Sequence, residues 1–152
     1  MDKERLLKSL NDHGVEYVVI GAAAFPVHGY ARATLDIDIF IRPVPENAER
    51  TLAALGDFGY DVTDLSRDDL LKYKVLIRQY VVELDVHPFV EGVEFDRIWA
   101  NRVAGEFGDI PVSYASLDDL IAMKRAAGRP KDLEDLRALE RLAERLRARG
   151  RE

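Results

Sequence analysis

The sequence predicts a single α/β (α+β) domain with a mixed β-sheet flanked by helices and a C-terminal helical pair. Two observations lead to this prediction. Apolar segments typical of strands alternate with amphipathic segments typical of helices, and from about residue 116 the pattern is helical only. The 152 residues suit one moderate hydrophobic core, and no repeat, low-complexity segment or linker divides them. We therefore expect residues 1–152 to form one domain, with a helical extension from about residue 116.

The first half of the chain is predicted to contain three helices, one of them short, and two strands. Leucines at helical spacing predict a helix over residues 3–12, and a β-branched run predicts a buried strand over residues 15–20. Gly21 then begins a turn followed by a short helix. Strict alternation of apolar and polar residues predicts a strand over residues 34–41. An acidic first turn and later glycines predict a helix over residues 44–59.

The next segment contains two predicted hairpins, each followed by a helix. Ser66 is expected to cap a helical turn, and two apolar segments over residues 73–80 and 81–88 predict a hairpin. A helical segment follows at residues 94–102, and a second hairpin is expected to turn near Gly108. Strands and helices therefore interleave up to about residue 116.

Two helices close the chain. The first begins at a capping-box pattern formed by Ser116 and Asp119 and ends at Gly128, and Pro130 opens the second. Leucines at helical spacing form a stripe along this second helix, which predicts packing on the sheet, with homodimerisation as the alternative. The stripe consists of Leu133, Leu136, Leu139, Leu142 and Leu146.

Composition and charge exclude several classes of protein. Hydrophobic residues make up 47% and charged residues 33% of the chain, which is a globular balance. No apolar run approaches the roughly 20 residues that span a bilayer, and the N-terminus does not have the pattern of a signal peptide. The absence of cysteine excludes disulfides and thiolate zinc sites. We expect a soluble cytoplasmic protein without a membrane partner.

The net charge of −6 is unevenly distributed. Residues 1–123 carry twelve Lys and Arg against twenty-two Asp and Glu, whereas residues 124–152 carry ten against six. The acidic body disfavours non-specific binding to nucleic acid. The basic tail is interpreted as a solvated helix, with local contact to a polyanion as the alternative.

Two aspartates on the strand over residues 34–41 suggest a metal site. Because side chains alternate, Asp36 and Asp38 share a face and lie roughly 7 Å apart along the chain. Two carboxylates this close repel each other, and both are hard to keep ionised beside an apolar core. A divalent cation removes this conflict, and carboxylates suit Mg²⁺ or Mn²⁺. On these two residues alone, a solvated strand face is the simpler interpretation.

Neighbouring residues favour a phosphate-binding site. Gly21 lies between a buried strand and a helix start, where backbone N–H groups can approach a phosphate. Arg32 lies four residues before Asp36, so its guanidinium could bind another phosphate oxygen. Each feature is weak alone, because glycine after a strand is often only a turn.

A two-metal site needs a third carboxylate, and the strand over residues 81–88 offers one. Glu83 and Asp85 share a face of this strand. Asp85 lies nearer to the strand's end, where sites on open sheets tend to lie, so Asp85 is the preferred ligand. Glu83 as the ligand, with Asp85 structural, is the alternative.

The segment IGAAAFPVHGYARATLDIDIFI, with Asp85 on a later strand, resembles the nucleotidyltransferase superfamily that includes DNA polymerase beta. More narrowly, it is similar to small bacterial AbiEii-like and minimal nucleotidyltransferases. Their signature is Gly-Gly or Gly-Ser at a strand-to-helix turn, an Asp-x-Asp strand and a third aspartate. The segment KRAAGRPKDLEDLRAL resembles the family's C-terminal motif, so the likeness runs from about residue 2 to residue 145. The residues that match the signature are Gly21-Ala22, Asp36 with Asp38, and Asp85.

Two departures from the family pattern bear on this resemblance. Ala22 stands where the family usually has Gly or Ser, so a hydroxyl contact to phosphate is missing while backbone contacts survive. The spacing between Gly21 and Asp36 is longer than in the minimal class, which favours the AbiEii-like type. Neither departure removes a metal ligand, so a competent site is expected.

The resemblance implies a nucleotidyltransferase fold and a metal-dependent enzyme. Such an enzyme transfers a nucleoside monophosphate from a nucleoside triphosphate (NTP) to a hydroxyl of a protein, an RNA or a small molecule, with Mg²⁺ or Mn²⁺ as cofactor. The acceptor or a partner protein is expected outside this chain, and a place in a toxin–antitoxin system is one role of such proteins. The alternatives are a non-catalytic antitoxin or complex subunit of the same fold, and a metal-dependent phosphohydrolase. The implied catalytic metal ligands are Asp36, Asp38 and Asp85, and the implied nucleotide-binding residues are Gly21, Ala22, Arg32 and Lys124.

Other residues have less specific roles in this interpretation. Lys124, implied above as a phosphate or base contact, is equally well interpreted as a surface lysine. Asp132 and Asp135 share a face near a helix N-terminus, where acidic residues stabilise the helix dipole. His28 is expected to pack or cap the short helix. His87 follows Asp85 and is a candidate to contact the nucleotide or groups around the site.

Overall fold

The structure, a computed structural model, describes residues 2–79 and 82–150, and the described residues form a mixed six-stranded sheet with helices around it. Three single turns of 3-10 helix span Gly21–Ala24, Pro26–His28 and Pro130–Asp132. The helices are α1 (Asp2–Asp12), α2 (Pro45–Phe58), α3 (Arg67–Lys72), α4 (Phe95–Ala100), α5 (Leu117–Ala127) and α6 (Leu133–Gly150). The strands are β1 (Tyr17–Ile20), β2 (Asp36–Ile41), β3 (Val75–Ile77), β4 (Glu83–His87), β5 (Val103–Phe107) and β6 (Ile110–Tyr114).

The strand order is β3-β4-β2-β1-β6-β5, which confirms the predicted mixed sheet. Both predicted hairpins are present: β3 pairs antiparallel with β4, and β5 pairs antiparallel with β6. Two residues that the first hairpin prediction included, Tyr80 and Val81, lie outside the described residues. At the centre of the sheet β2 runs parallel to β4 and antiparallel to β1. None of the helices that the structure describes has the length and apolar character needed to cross a membrane.

Alternation along β2 places its isoleucines on one face and Asp36 and Asp38 on the other. Ile37, Ile39 and Ile41 are at most 1% exposed and belong to one core with the buried residues of α1 and α2. Asp36 and Asp38 occupy the alternate positions and are only partly buried. The core therefore holds β2 in place from one face and leaves the aspartates on the other.

A buried asparagine connects α2 to the ends of β1 and β2. The Asn47 side-chain oxygen accepts a hydrogen bond of 2.8 Å from the backbone N–H of Glu16. Its amide group donates to the carbonyl oxygens of Glu16 and Arg42, both at 3.0 Å. These bonds satisfy the polar atoms of the buried Asn47 side chain and stabilise the β1–β2 pair that carries the aspartates.

The C-terminal helical pair packs helix against helix. As predicted, Ser116 caps α5: its Oγ accepts a 3.2 Å hydrogen bond from the backbone N–H of Asp119, and Gly128 ends the helix at φ +60°. The Asp119 carboxylate, expected to complete a capping box, instead lies 3.0 Å from Nε of Arg97. α6 packs against α5, so the leucine stripe is buried in its middle rather than along its length. Leu139 is fully buried, whereas Leu133 and Leu146 are 47% and 45% exposed.

Candidate active site

A cavity of about 450 Å³ lies where β1, β2 and β4 meet α5 and the start of α6. Every residue that the sequence analysis implied as a site residue lines this one cavity, although these residues are spread over a hundred positions of the chain. Their individual roles stay predictions, but the fold brings them together. They are Gly21, Ala22, Arg32, Asp36, Asp38, Asp85 and Lys124.

The register of the parallel pair β2–β4 builds an acidic wall. Asp38 pairs with Asp85 and Asp36 pairs with Glu83, so four carboxylates lie on one face of two adjacent strands. Asp85 is the central residue of β4, and its side chain is 8% exposed. Its place in the cavity therefore follows from its pairing with Asp38, not from the strand end on which its prediction rested. Like charges in adjacent register positions repel, so this wall needs positive charge.

Arg78, which the sequence analysis did not single out, supplies part of that charge. Its Nη1 donates a 2.7 Å hydrogen bond to Asp85 Oδ1. The same guanidinium lies 3.7 Å from a Glu83 oxygen and 3.9 Å from an Asp36 oxygen. Arg78 follows β3 in the hairpin that carries the two β4 carboxylates. In the sequence, the signal for this contact is a positively charged residue seven positions before Asp85.

One arginine does not neutralise the acidic wall. A hydrogen bond with the Asp36 carboxylate, together with burial and the charge of Asp36, raises the pKa of Glu83 above its ordinary value, and Arg78 opposes this shift. A raised carboxyl pKa means that the charged form is disfavoured at this position. The carboxylates around Glu83 therefore still repel one another beside Arg78, and a bound cation would relieve this repulsion.

Asp38, Asp85 and His87 form the part of this wall most suited to a metal ion. Each offers one ligand atom, and these three atoms lie within 4.8 Å of one another. His87 Nε2 lies 2.9 Å from Asp38 Oδ1. Among the described residues, this geometry groups Asp38 and Asp85 with His87 rather than with Asp36. Carboxylate oxygens with an imidazole nitrogen fit a divalent cation.

Gly21 makes room for the Asp38 carboxylate. Its φ of +68° lies in the left-handed region, and a Cβ added there would lie 2.8 Å from Asp38 Oδ2. Glycine is therefore favoured by the backbone conformation, and a larger residue here would displace the Asp38 carboxylate. The sequence pattern indicates a turn and a backbone approach to phosphate at Gly21, whereas the contact with Asp38 is visible only in the tertiary structure.

Cations from α5 and the following turn line another part of the cavity. Lys124 Nζ lies 2.9 Å from Asp132 Oδ1 and 3.6 Å from Asp135 Oδ2. Arg129 Nε lies 2.6 Å from Asp132 Oδ2. Three of the lining cations were not implied by the sequence analysis: Lys74, Arg129 and Lys131.

Asp132 and Asp135 are buried and hold these cations in place. Besides Lys124, Asp135 contacts Arg32, whose Nη1 lies 3.1 Å from Oδ2, and accepts a 2.9 Å hydrogen bond from the Tyr30 hydroxyl. Burial acts to raise the pKa of Asp132, but the hydrogen bonds from Arg129 and Lys124 outweigh burial and lower it. Both carboxylates are therefore ion-pair partners of the cavity's cations, beyond the dipole role expected near a helix start.

Apolar side chains complete the cavity. The Phe25 ring centroid lies 5.7 Å from Lys124 Nζ, so the ring contributes to holding this ammonium group. The other apolar lining residues include Ile20, Val90, Leu120 and Met123. His28 instead donates from Nε2 to the carbonyl oxygen of Ala115 at 2.8 Å, which agrees with its expected packing role.

Comparison with known proteins gives one family. The model of the family described as "Nucleotidyltransferase of unknown function (DUF6036)" matches residues 2–147. No curated protein matches the chain. The match extends from α1 through most of α6, so it includes the strands and helices that form the cavity.

We expect Asp132→Asn to lower the free energy of unfolding at pH 7 by on the order of 2 kcal/mol, because it weakens the pairing of Lys124 and Arg129. This is less than for a fully buried pair, since the Arg129 side chain is 54% exposed. The lowered pKa of Asp132 contributes stability above its ordinary value of 3.8 that is lost as the pH falls through the folded-state pKa. The free energies of unfolding in urea of wild type and variant should therefore begin to converge as the pH falls below about 4, and meet only below the folded-state pKa of Asp132.

The exposed Asp64 provides the control for this comparison. Asp64→Asn should change the free energy of unfolding by less than about 0.5 kcal/mol at either pH. An Asp132→Asn penalty that stays constant from pH 7 to pH 3 would contradict the ion-pair role.

Two glycine variants separate backbone strain from crowding. Gly14 and Gly21 have nearly the same φ, +67° and +68°. A Cβ added at Gly14 would have no atom within 4 Å, whereas a Cβ added at Gly21 would lie 2.8 Å from Asp38 Oδ2. Gly14→Ala should cost about 1–2 kcal/mol of unfolding free energy from strain alone. Gly21→Ala should cost about 1–3 kcal/mol more, because Asp38 must move. Equal losses in urea unfolding would show that the Asp38 carboxylate does not need this space.

Proposed function

Since the chain belongs to a family of nucleotidyltransferases, we propose that it is a metal-dependent enzyme that transfers a nucleoside monophosphate from an NTP to an acceptor hydroxyl. The observation that carries this proposal is one cavity lined both by the carboxylates of β2 and β4 and by the cations around α5. A metal-bound triphosphate needs both kinds of partner. We further propose that residues 1–152 act as one domain, since both its sheet and its helical extension line the cavity.

In this proposal Asp36, Asp38 and Asp85 hold Mg²⁺ or Mn²⁺. Asp38 and Asp85 pair in register, and Asp36 lies two residues earlier on the same face of β2. When bound, the divalent cation supplies positive charge to the triphosphate and to the attacking and leaving oxygens. Among the described residues, Arg78 is the cationic side chain closest to Asp85, with 2.7 Å between its Nη1 and Asp85 Oδ1.

The phosphates are assigned to the cavity's basic side chains and to the turn after β1. Lys124 and Arg129 share Asp132 as a partner, and Arg32 is held by Asp135, so these cations stay beside the cavity before substrate binds. Such pre-positioning lowers the entropy lost when a triphosphate is gripped. The backbone N–H groups of Gly21 and Ala22 are additional phosphate donors in this proposal.

The reaction is an in-line displacement. The acceptor oxygen forms a bond to the α-phosphorus as the bond from that phosphorus to the bridging oxygen breaks, and pyrophosphate leaves with that bonding electron pair. We assign the hydroxyl proton to Asp85, whose side chain is 8% exposed. Lys124 and Arg129 stabilise the charge of the leaving pyrophosphate. No covalent intermediate with the protein is required.

The acceptor and the biological setting are further proposals. The long spacing between Gly21 and Asp36 supports an AbiEii-like type and hence a place in a toxin–antitoxin system. The acceptor would then be a protein, an RNA or a small molecule, supplied or completed by a partner outside this chain. Leu133 and Leu146, exposed on α6, are the residues that a homodimer would cover.

A non-catalytic subunit is the second candidate function. Ala22 favours it, because a methyl group stands where the family usually has glycine or a hydroxyl. A subunit of that kind has no need to bind an NTP with metal. The two candidates therefore differ in a measurement that requires no knowledge of the acceptor.

The decisive experiment is calorimetric titration of the four NTPs with Mg²⁺ or Mn²⁺. Wild type should bind at least one of them, and Asp36→Ala/Asp38→Ala should lose more than about 100-fold in affinity, beyond the 10–100-fold typical of groups that only orient ligands. Asp64→Ala is the control and should bind as wild type does. A folded wild type that binds no NTP with either metal would refute the enzyme and favour the non-catalytic subunit.

Lys124 offers a test of the phosphate assignment. Lys124→Met should weaken NTP affinity about 10–100-fold, since a hydrogen bond to a charged group contributes about 1.5–3 kcal/mol. The neighbouring Arg125, also on α5, is exposed and pairs with Glu140 at 2.8 Å. Arg125→Met should therefore leave NTP affinity within about threefold of wild type. Equal affinity of the two variants in calorimetry would contradict the role of Lys124.

A further inference from the structure

We infer that His87 is a direct ligand of the divalent cation, and that its imidazole makes the site prefer Mn²⁺ to Mg²⁺. This inference rests on the proposed function, because it concerns the cation of the same cavity. It adds a nitrogen ligand and a metal preference that the three aspartates do not imply. The resemblance to known families implied only carboxylate ligands.

The distances match a coordination sphere. Metal–oxygen and metal–nitrogen bonds of about 2.1 Å place neighbouring ligands of an octahedral ion about 3.0 Å apart and opposite ligands about 4.2 Å apart. His87 Nε2 and Asp38 Oδ1 are 2.9 Å apart. The ligand atoms of Asp38, Asp85 and His87 all lie within 4.8 Å of one another. A cation can therefore bind all three with only small movements of their side chains.

The sheet places His87 for this role. Residues two apart on a strand share a face, so His87 lies on the same face of β4 as Asp85. The His87 side chain is 14% exposed and lines the cavity. Gly21, which leaves space for the Asp38 carboxylate, lies on the adjacent turn. Ligands held by strands keep their geometry better than ligands on loops.

The donor set determines the preferred metal. Mg²⁺ prefers oxygen ligands and water, whereas an imidazole nitrogen is a better ligand for first-row transition ions. An imidazole added to the aspartate ligands therefore favours Mn²⁺, and the ions that follow it in the Irving–Williams order, over Mg²⁺. The competing role for His87 is to donate a hydrogen bond that orients Asp38. In that role its removal would affect both metals equally.

The test compares His87→Gln with wild type, because glutamine keeps an N–H donor but lacks the imidazole ligand. Metal-free protein is titrated calorimetrically with MnCl₂ and with MgCl₂. Wild type should bind Mn²⁺ at least about tenfold more tightly than Mg²⁺. His87→Gln should reduce this preference for Mn²⁺ to less than about threefold, mainly by lowering the affinity for Mn²⁺. Thermal unfolding without metal checks that the variant is folded.

His13 provides a matched control away from the cavity. Its Nε2 lies 2.7 Å from Asp57 Oδ2, so it is another histidine–aspartate contact in the same chain. His13→Gln should keep the metal ratio of wild type. A second measurement on cobalt-loaded wild type does not depend on the variant's folding: one strongly shifted, exchangeable imidazole N–H proton is expected in its NMR spectrum. Absence of that proton, despite bound Co²⁺, would overturn the inference.

The inference would also be overturned if His87→Gln weakened Mn²⁺ binding and Mg²⁺ binding equally, or changed neither. The result for wild type separates this inference from the proposed function. Aspartate-dependent binding of NTP with Mg²⁺ but no preference for Mn²⁺ refutes only the role of His87. Absence of both Mn²⁺ and Mg²⁺ binding, with and without NTP, refutes both proposals.

Discussion

The register between β2 and β4 is the constraint on which the candidate site depends. It places Asp38 beside Asp85 and Asp36 beside Glu83, an arrangement that electrostatic repulsion alone would separate. The opposite face of the same strands holds the register, because Ile37, Ile39, Leu84 and Val86 are at most 1% exposed. A slip of one residue would move these side chains to the polar face. Apolar burial therefore stabilises an acidic cluster that is unfavourable by itself.

The other residues around this cluster can be understood as responses to that concentration of charge. Arg78 and His87 each contact one of the central aspartates, at 2.7 and 2.9 Å, and Gly21 leaves the Asp38 carboxylate its space. The raised pKa of Glu83 indicates that repulsion remains. A fold that keeps such an arrangement has given up stability at one place, as binding and catalytic sites commonly do.

The basic part of the cavity uses the reverse arrangement. Buried Asp132 and Asp135 lie behind Lys124, Arg129 and Arg32, so buried negative charges position the cations beside the cavity. Ion pairs of this kind contribute little net stability, because desolvation offsets attraction. Their effect is on geometry: three flexible cationic side chains are restricted before a ligand arrives. The docking of α6 on α5 is therefore part of the site as well as part of the fold.

The sequence by itself determined the elements and the candidate residues, while the tertiary structure decided how they are combined. Alternation, caps and glycines predicted both hairpins, the C-terminal helical pair and the shared face of Asp36 and Asp38, because these features depend on neighbours a few residues apart. The pairing of Asp38 with Asp85, the contact of Arg78 and the ion pairs of Asp132 were not predictable in this way. Strand register and helix docking join distant parts of the chain, and the packing of the whole core selects them.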